Sequence, residues 1–308
     1  MSRLFTFGCS FTNSHWPTWA DIVSQDFEHY ENWGQIGAGN KFIYFSLVEC
    51  QQRKNITSDD TVIIMWSSQA REDRFIKDKW HTPGVVYDNY DEYFLENLVD
   101  ADGYLLDTVT YIQSSVTLLQ SIGCKYVFLS MLPMNISTCF DSRHWLDRFI
   151  KKLNPDTADK ILALYAPALN EVKPSIYETV FNSDWHSRDD NIMQIKNNKK
   201  TKDILYQNYV ENATDDWPTF EDFFNDNMAH VKVDTIDEID KQFHFIETRD
   251  KIKHLIRPDN HPTPLEHLEY LNLIDVPVSK KATDFAGHWN DLVIKGDAIW
   301  SNKKIERL

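Results

Sequence analysis

Apolar residues in this chain fall into short unbroken runs, separated by stretches where they recur every three or four positions. The first run covers residues 3–8, Arg3-Leu4-Phe5-Thr6-Phe7-Gly8, and reads as a strand. A short second strand is expected near Tyr30–Trp33. Thr61–Trp66 is nearly all apolar, the mark of a parallel strand buried on both faces. Lys125–Leu132 is the fourth strand, stopped by Pro133. Between the strands, Trp19, Ile22, Val23 and Phe27 give residues 16–27 helical spacing. Asn40 is expected to cap a helix over residues 41–52, with Phe42, Phe45, Leu47 and Val48 as its main apolar positions. Residues 105–122 form a long amphipathic helix ending at Gly123, and the aromatic-rich stretch from Trp80 to Tyr93 reads as an irregular loop. Strand and helix alternating at this spacing predict an α/β fold, a parallel sheet in three layers. Ligands of such sheets bind beyond the carboxyl ends of the strands, and Ser10, Gly39, Ser67 and the Pro133 turn all fall there.

The pattern changes over residues 140–255, which are polar, helical in spacing and rich in Asp, Asn and Lys. This stretch reads as a helical insertion or cap over the sheet's carboxyl edge, with Trp185 and Trp217 as candidate cleft walls. The α/β domain then comprises residues 1–139 and 256–308. A chain of 308 residues with 42% hydrophobic content can bury a sizeable core. Its formal net charge of −15 opposes binding to nucleic acid or anionic lipid. No stretch approaches the roughly 18–20 apolar residues of a membrane span, and the N-terminus reads as a core strand rather than a leader. The four cysteines, Cys9, Cys50, Cys124 and Cys139, show no paired spacing, so a reducing, cytoplasmic compartment is expected.

Two short segments carry candidate chemistry. Strand one runs into Gly8-Cys9-Ser10-Phe11-Thr12, and Asp259-Asn260-His261-Pro262 lies at the mouth of a late helical stretch. A hydroxyl on a strand-to-helix turn and a distant His with its own carboxylate are what serine acyl chemistry requires. Asp259 shares a face with His261 if the segment is extended. Cys9 is the rival nucleophile, and its plainer reading is a small buried residue at the strand end. His261 and His267 are six apart, which does not place two imidazoles on one helical face, so no metal site is expected. No phosphate-binding loop or dinucleotide fingerprint is present, and no cofactor is expected.

The order of these motifs resembles the SGNH/GDSL hydrolase superfamily, whose blocks are spread over a flavodoxin-like domain. Gly8-Cys9-Ser10 stands where that family has Gly-Asp-Ser. Asn32-Trp33-Gly34-Gln35-Ile36-Gly37-Ala38-Gly39-Asn40 stands as the second block, and Asp259-Asn260-His261-Pro262 as the last. The resemblance covers roughly residues 1–135 and 255–275. It implies Ser10 as nucleophile, His261 as base, Asp259 as its carboxylate, and the N–H groups of Ser10 and Gly39 as oxyanion donors. The third block departs from the family. Met65-Trp66 runs into Ser67-Ser68-Gln69-Ala70-Arg71, without the expected Asn. Ser67 or Ser68 then supplies the missing donor, or Asn40 or Arg71 points in. Arg71 reads equally as a group for a substrate anion and as a surface charge beside Glu72 and Asp73.

Two function classes follow. One is an acyl or acetyl esterase acting on a carbohydrate or small polar ester. The other is a non-catalytic binding or structural protein of the same fold within a larger assembly, such as a virion or a surface-polysaccharide system.

Overall fold

In the computed structural model, which describes residues 3–134, 149–181, 261–295, 300 and 305, strand one (β1) spans Arg3–Phe7. β2 is His29–Asn32 and β3 is Thr61–Trp66, with the limits that the apolar run predicted for it. The strand expected over 125–132 is β6, Lys125–Ser130. These four strands form a parallel sheet in the order β2-β1-β3-β6. The fold is α/β. Its strand order reverses direction between β1 and β3, and such a reversal opens a crevice at the carboxyl ends of the two strands.

Side-chain alternation assigns the layers. Phe5, Phe7, Val62, Ile64, Trp66 and Phe128 share one core with Ile43 and Leu47 of helix α2 (Asn40–Lys54) and with Ile112, Val116 and Leu119 of helix α5 (Ala101–Ile122). Leu4 lies in register with Tyr30, so both face the opposite side. There the Tyr30 hydroxyl donates to Asp21 Oδ1 (3.1 Å) of helix α1 (Trp19–Ser24). Helix Pro264–Leu273 packs on α1, and its Tyr270 hydroxyl donates to Pro174 O (2.8 Å). The sheet is thus covered on both faces. Near-continuous apolar strands need such cover.

The stretch expected as an irregular loop is ordered. Arg71–Ile76 (β4) and Lys79–Val85 (β5) form an antiparallel hairpin, followed by the short helices α3 (Val86–Asn89) and α4 (Glu92–Asn97). Its two connecting residues, Lys77 (φ 51°) and Asp78 (φ 61°), are both left-handed. A two-residue turn with both centres at positive φ matches the twist of the strands it joins. Asn40 is also placed differently from the expectation: Gly39 is the N-cap of α2, without a side-chain cap bond, and Asn40 is the first helical residue.

Two compact units are distinguished. One holds residues 1–184, 262–287 and 300–308, and the other residues 185–261 and 288–299. Most of the insertion expected over residues 140–255 lies outside the described residues, and its described part, residues 149–181, belongs to the first unit. Within it, helices Pro155–Leu164 and Ala166–Leu169 pack on α5, and Lys173 N–H donates to Phe128 O (2.8 Å) at the β6 edge. The candidate cleft walls Trp185 and Trp217 and the candidate triad residue Asp259 lie outside the described residues. Among the described residues, no helix is long and apolar enough to cross a membrane, and no cluster of His, Cys, Asp and Glu could hold a metal ion.

Candidate active site

Ser10 sits on a single turn just beyond β1. Cys9 O closes that turn by accepting from the N–H groups of Thr12 (2.9 Å) and Asn13 (3.1 Å). Gly8 is required there, because a Cβ would stand 2.0 Å from Thr12 Oγ1 and 3.0 Å from Met65 O. Ser10 is buried, with 4% of its surface exposed. Cys9 is fully buried, and its Sγ lies 3.8 Å from Met131 Sδ, a packing contact at the end of β6.

The Gly-rich loop is laced to this turn from the other side. Gln35 N–H donates to Gly8 O (3.0 Å), Asn13 Nδ2 to Gly34 O (2.9 Å) and Asn32 Nδ2 to Thr12 O (2.7 Å). Gly37 has φ +78°, and a Cβ on it would meet Thr82 O at 2.1 Å, so glycine lets the hairpin close against this loop. The Thr82 hydroxyl donates to Ile36 O (3.0 Å) and accepts from Gln35 Nε2 (2.9 Å).

The hairpin brings two charged side chains to the start of α2. Asp73 is buried, and its carboxylate accepts from Gly39 N–H (2.8 Å) and Phe42 N–H (2.9 Å). It thereby caps a helix whose own N-cap residue has no side chain. Burial pushes the Asp73 carboxyl up to about 6, although the two N–H bonds and the nearby Arg71 charge act against that rise. In the sequence Asp73 stands only as a carboxylate beside Arg71, inside a charge cluster whose other members, Arg71, Glu72 and Arg74, are partly exposed. Arg71 begins β4; its Nη1 donates to Ala38 O (2.9 Å) and its Nη2 lies 3.9 Å from Met131 Sδ.

The Gly39 N–H, expected to face an oxyanion, is therefore bonded to a carboxylate of the same chain. Asn40 joins the second and third blocks. Its Oδ1 accepts from Ser67 N–H (2.8 Å), and its Nδ2 donates to Ser67 O (3.1 Å) and Thr108 Oγ1 (3.1 Å). Both ends of the amide are used in holding the loop after β3. Asn40→Ala would leave these buried groups without that partner, and the expected cost is about 1–3 kcal/mol, measurable by urea unfolding. Ser68 Oγ accepts from Ala70 N–H (3.0 Å), whereas the buried Ser67 Oγ makes no hydrogen bond among the described residues.

At the far end of the chain, His261 is partly buried. The next residue, Pro262, accepts a hydrogen bond at its carbonyl from Trp16 Nε1 (2.8 Å). Thr263 and Glu266 then form a reciprocal capping box that starts helix Pro264–Leu273. His267 is buried, edge-on to Phe11, with ring centroids 6.4 Å apart. The structure thus groups Ser67, Ser68, Asn40, Gly39 and Arg71 around the loops after β2 and β3, beside the Ser10 turn.

No family model matches the chain, and no curated protein matches it. A search of solved structures finds similarity to a member of the lipolytic protein G-D-S-L family from Veillonella parvula DSM 2008. The TM-score is 0.34 and the identity 16%, over 60% of this chain and 82% of that one.

Proposed function

We propose that this protein is a serine ester hydrolase of SGNH type, acting on an acetyl or other short acyl ester of a carbohydrate or small polar alcohol. What supports the reading most is Ser10 itself, on a tight turn at the carboxyl end of β1, beside β3, where the strand order reverses. In the reaction, Ser10 Oγ adds to the ester carbonyl while His261 takes the hydroxyl proton. The carbonyl π pair moves onto oxygen, and collapse of that oxyanion expels the alcohol, which leaves with the proton held by His261. Water, deprotonated by the same imidazole, then releases the acid and restores Ser10. Asp259 holds the imidazole tautomer in this scheme, and Ser10 N–H is one donor to the oxyanion.

The nucleophile is tested by a fluorophosphonate probe. Adduct mapping by mass spectrometry should place the label on Ser10, with labelling lost in Ser10→Ala and kept in Cys9→Ala. The opposite outcome transfers the role to the thiol.

One observation favours a second reading, a non-catalytic binding or structural protein: Gly39 N–H is held by Asp73, and no Asn follows β3. That reading expects no Ser10-dependent turnover of p-nitrophenyl acetate.

A further inference from the structure

An acyl-transfer site needs donors aimed at the developing oxyanion, and most candidates on this sheet edge are already engaged. Gly39 N–H donates to Asp73, and a side chain placed on Gly39 would strike Asp73 Oδ2 at 2.7 Å. The Asn40 amide is spent on Ser67 and Thr108. Ser68 Oγ accepts from a backbone N–H within its own turn, and Gln69 Nε2 points to Pro133 O (3.4 Å) and Met134 Sδ (3.8 Å). Ser67 is fully buried, with no exposed surface through which a substrate could be reached.

Arg71 differs from all of these. The residue is partly exposed although its Nε is buried, and its guanidinium is oriented by the Ala38 carbonyl. It forms no ion pair among the described residues, and its Nε makes no hydrogen bond there. Its Nη2 touches Met131 Sδ, the same sulfur that the thiol of Cys9, the neighbour of Ser10, contacts. Two residues along β4, Asp73 occupies the backbone donor that the fold would otherwise offer. One short strand therefore blocks a neutral donor and brings in a charged one.

We propose that Arg71 is the charged oxyanion donor of this site, replacing both the Gly39 N–H and the side-chain amide missing after β3. The assignment rests on Ser10 being the nucleophile. A guanidinium N–H to an oxyanion is a charge-assisted bond, roughly twice as strong as a neutral one, so a single group can take over from two. Asp73 is a positioning residue, acting through the backbone at the start of α2 and through the charge it sets beside Arg71.

The test compares wild type, Ser10→Ala, Arg71→Ala, Arg71→Lys and Arg71→Gln on p-nitrophenyl acetate and on an anionic ester, the p-nitrophenyl monoester of succinic acid. Thermal melts identify the folded variants, and Lys and Gln keep much of the apolar stem where Ala does not. On the neutral ester, Arg71→Gln and Arg71→Ala should lose about 10²–10³-fold in kcat with KM changed less than about threefold, and Arg71→Lys should recover part of the loss. Fluorophosphonate labelling of Ser10 should slow in the same order. The assignment is overturned if kcat on the neutral ester stays within about threefold of wild type in Arg71→Gln while Ser10→Ala is inactive. It is equally overturned if the defect is confined to KM for the succinyl ester, which makes Arg71 a substrate-anion group. Undiminished hydrolysis by Ser10→Ala overturns the hydrolase reading itself, and Arg71's role with it.

Discussion

Replacing Ser10 with alanine should lower kcat for p-nitrophenyl acetate by about 10⁴–10⁶-fold, and His261→Ala should do nearly as much. On the proposed mechanism the two residues act as one unit, because the hydroxyl is a poor nucleophile until its proton has somewhere to go. The double variant should therefore be no worse than either single one, and that non-additivity is the signature to measure. Stopped-flow turnover at saturating ester gives the kcat values, and circular dichroism confirms that each variant folds. His267 supplies the internal comparison. It is buried on Phe11, one residue beyond the proposed nucleophile, whereas His261 is partly exposed. If His267→Ala is the inactive variant and His261→Ala turns over normally, the base has been assigned to the wrong imidazole. If both single losses multiply in Ser10→Ala/His261→Ala, the two do not share a proton.

The sheet was legible because burial on both faces leaves a strong trace. Thr61–Trp66 has five buried residues of six, and its limits could be read directly from the run. The hairpin after it was not, for three reasons. Its turn is Lys77-Asp78 rather than a sequence with Asn-Gly or Asp-Gly. A register shift between Glu72 and Arg74 breaks the alternation on which strand reading depends, and Pro83 lies inside β5. The site divides in the same way. Ser10, Gly39 and Ser67 were placed at strand ends because each follows a run that could be recognised as a strand. What Gly39 and Asn40 do was hidden, because their partners come from 34 and 27 residues away across the sheet edge. Asn40 has the composition of a cap, yet tertiary hydrogen bonds claim its side chain, and Asp73 from the hairpin does the capping. A pattern read along the chain sees neither exchange.

Asp73 should make the protein less stable as pH rises from about 4 to about 7, measured against Asp73→Asn. Burial raises its carboxyl from an ordinary 3.8 to about 6, so the folded chain holds this proton more tightly than the unfolded one. The stabilisation from proton uptake is complete below the unfolded value near 4. It declines as pH climbs through the interval between the two values and is gone above about 6, where the carboxylate stays buried and charged. A shift of that size corresponds to about 3 kcal/mol between the two ends. Asn keeps one oxygen, which can accept from Gly39 or from Phe42 but not from both, and it has no proton to titrate; the lost bond is a pH-independent offset, so subtracting its urea-unfolding curve still removes the other titrating groups. The difference, wild type minus variant, should fall by about 3 kcal/mol over that range. A difference that rises instead would mean that the Gly39 and Phe42 N–H groups and the charge of Arg71 outweigh burial, leaving a carboxyl held below its ordinary value. The catalytic consequence follows from the same balance. Above pH 6 the ionised Asp73 binds Gly39 N–H most strongly, so that donor is least available to an oxyanion there.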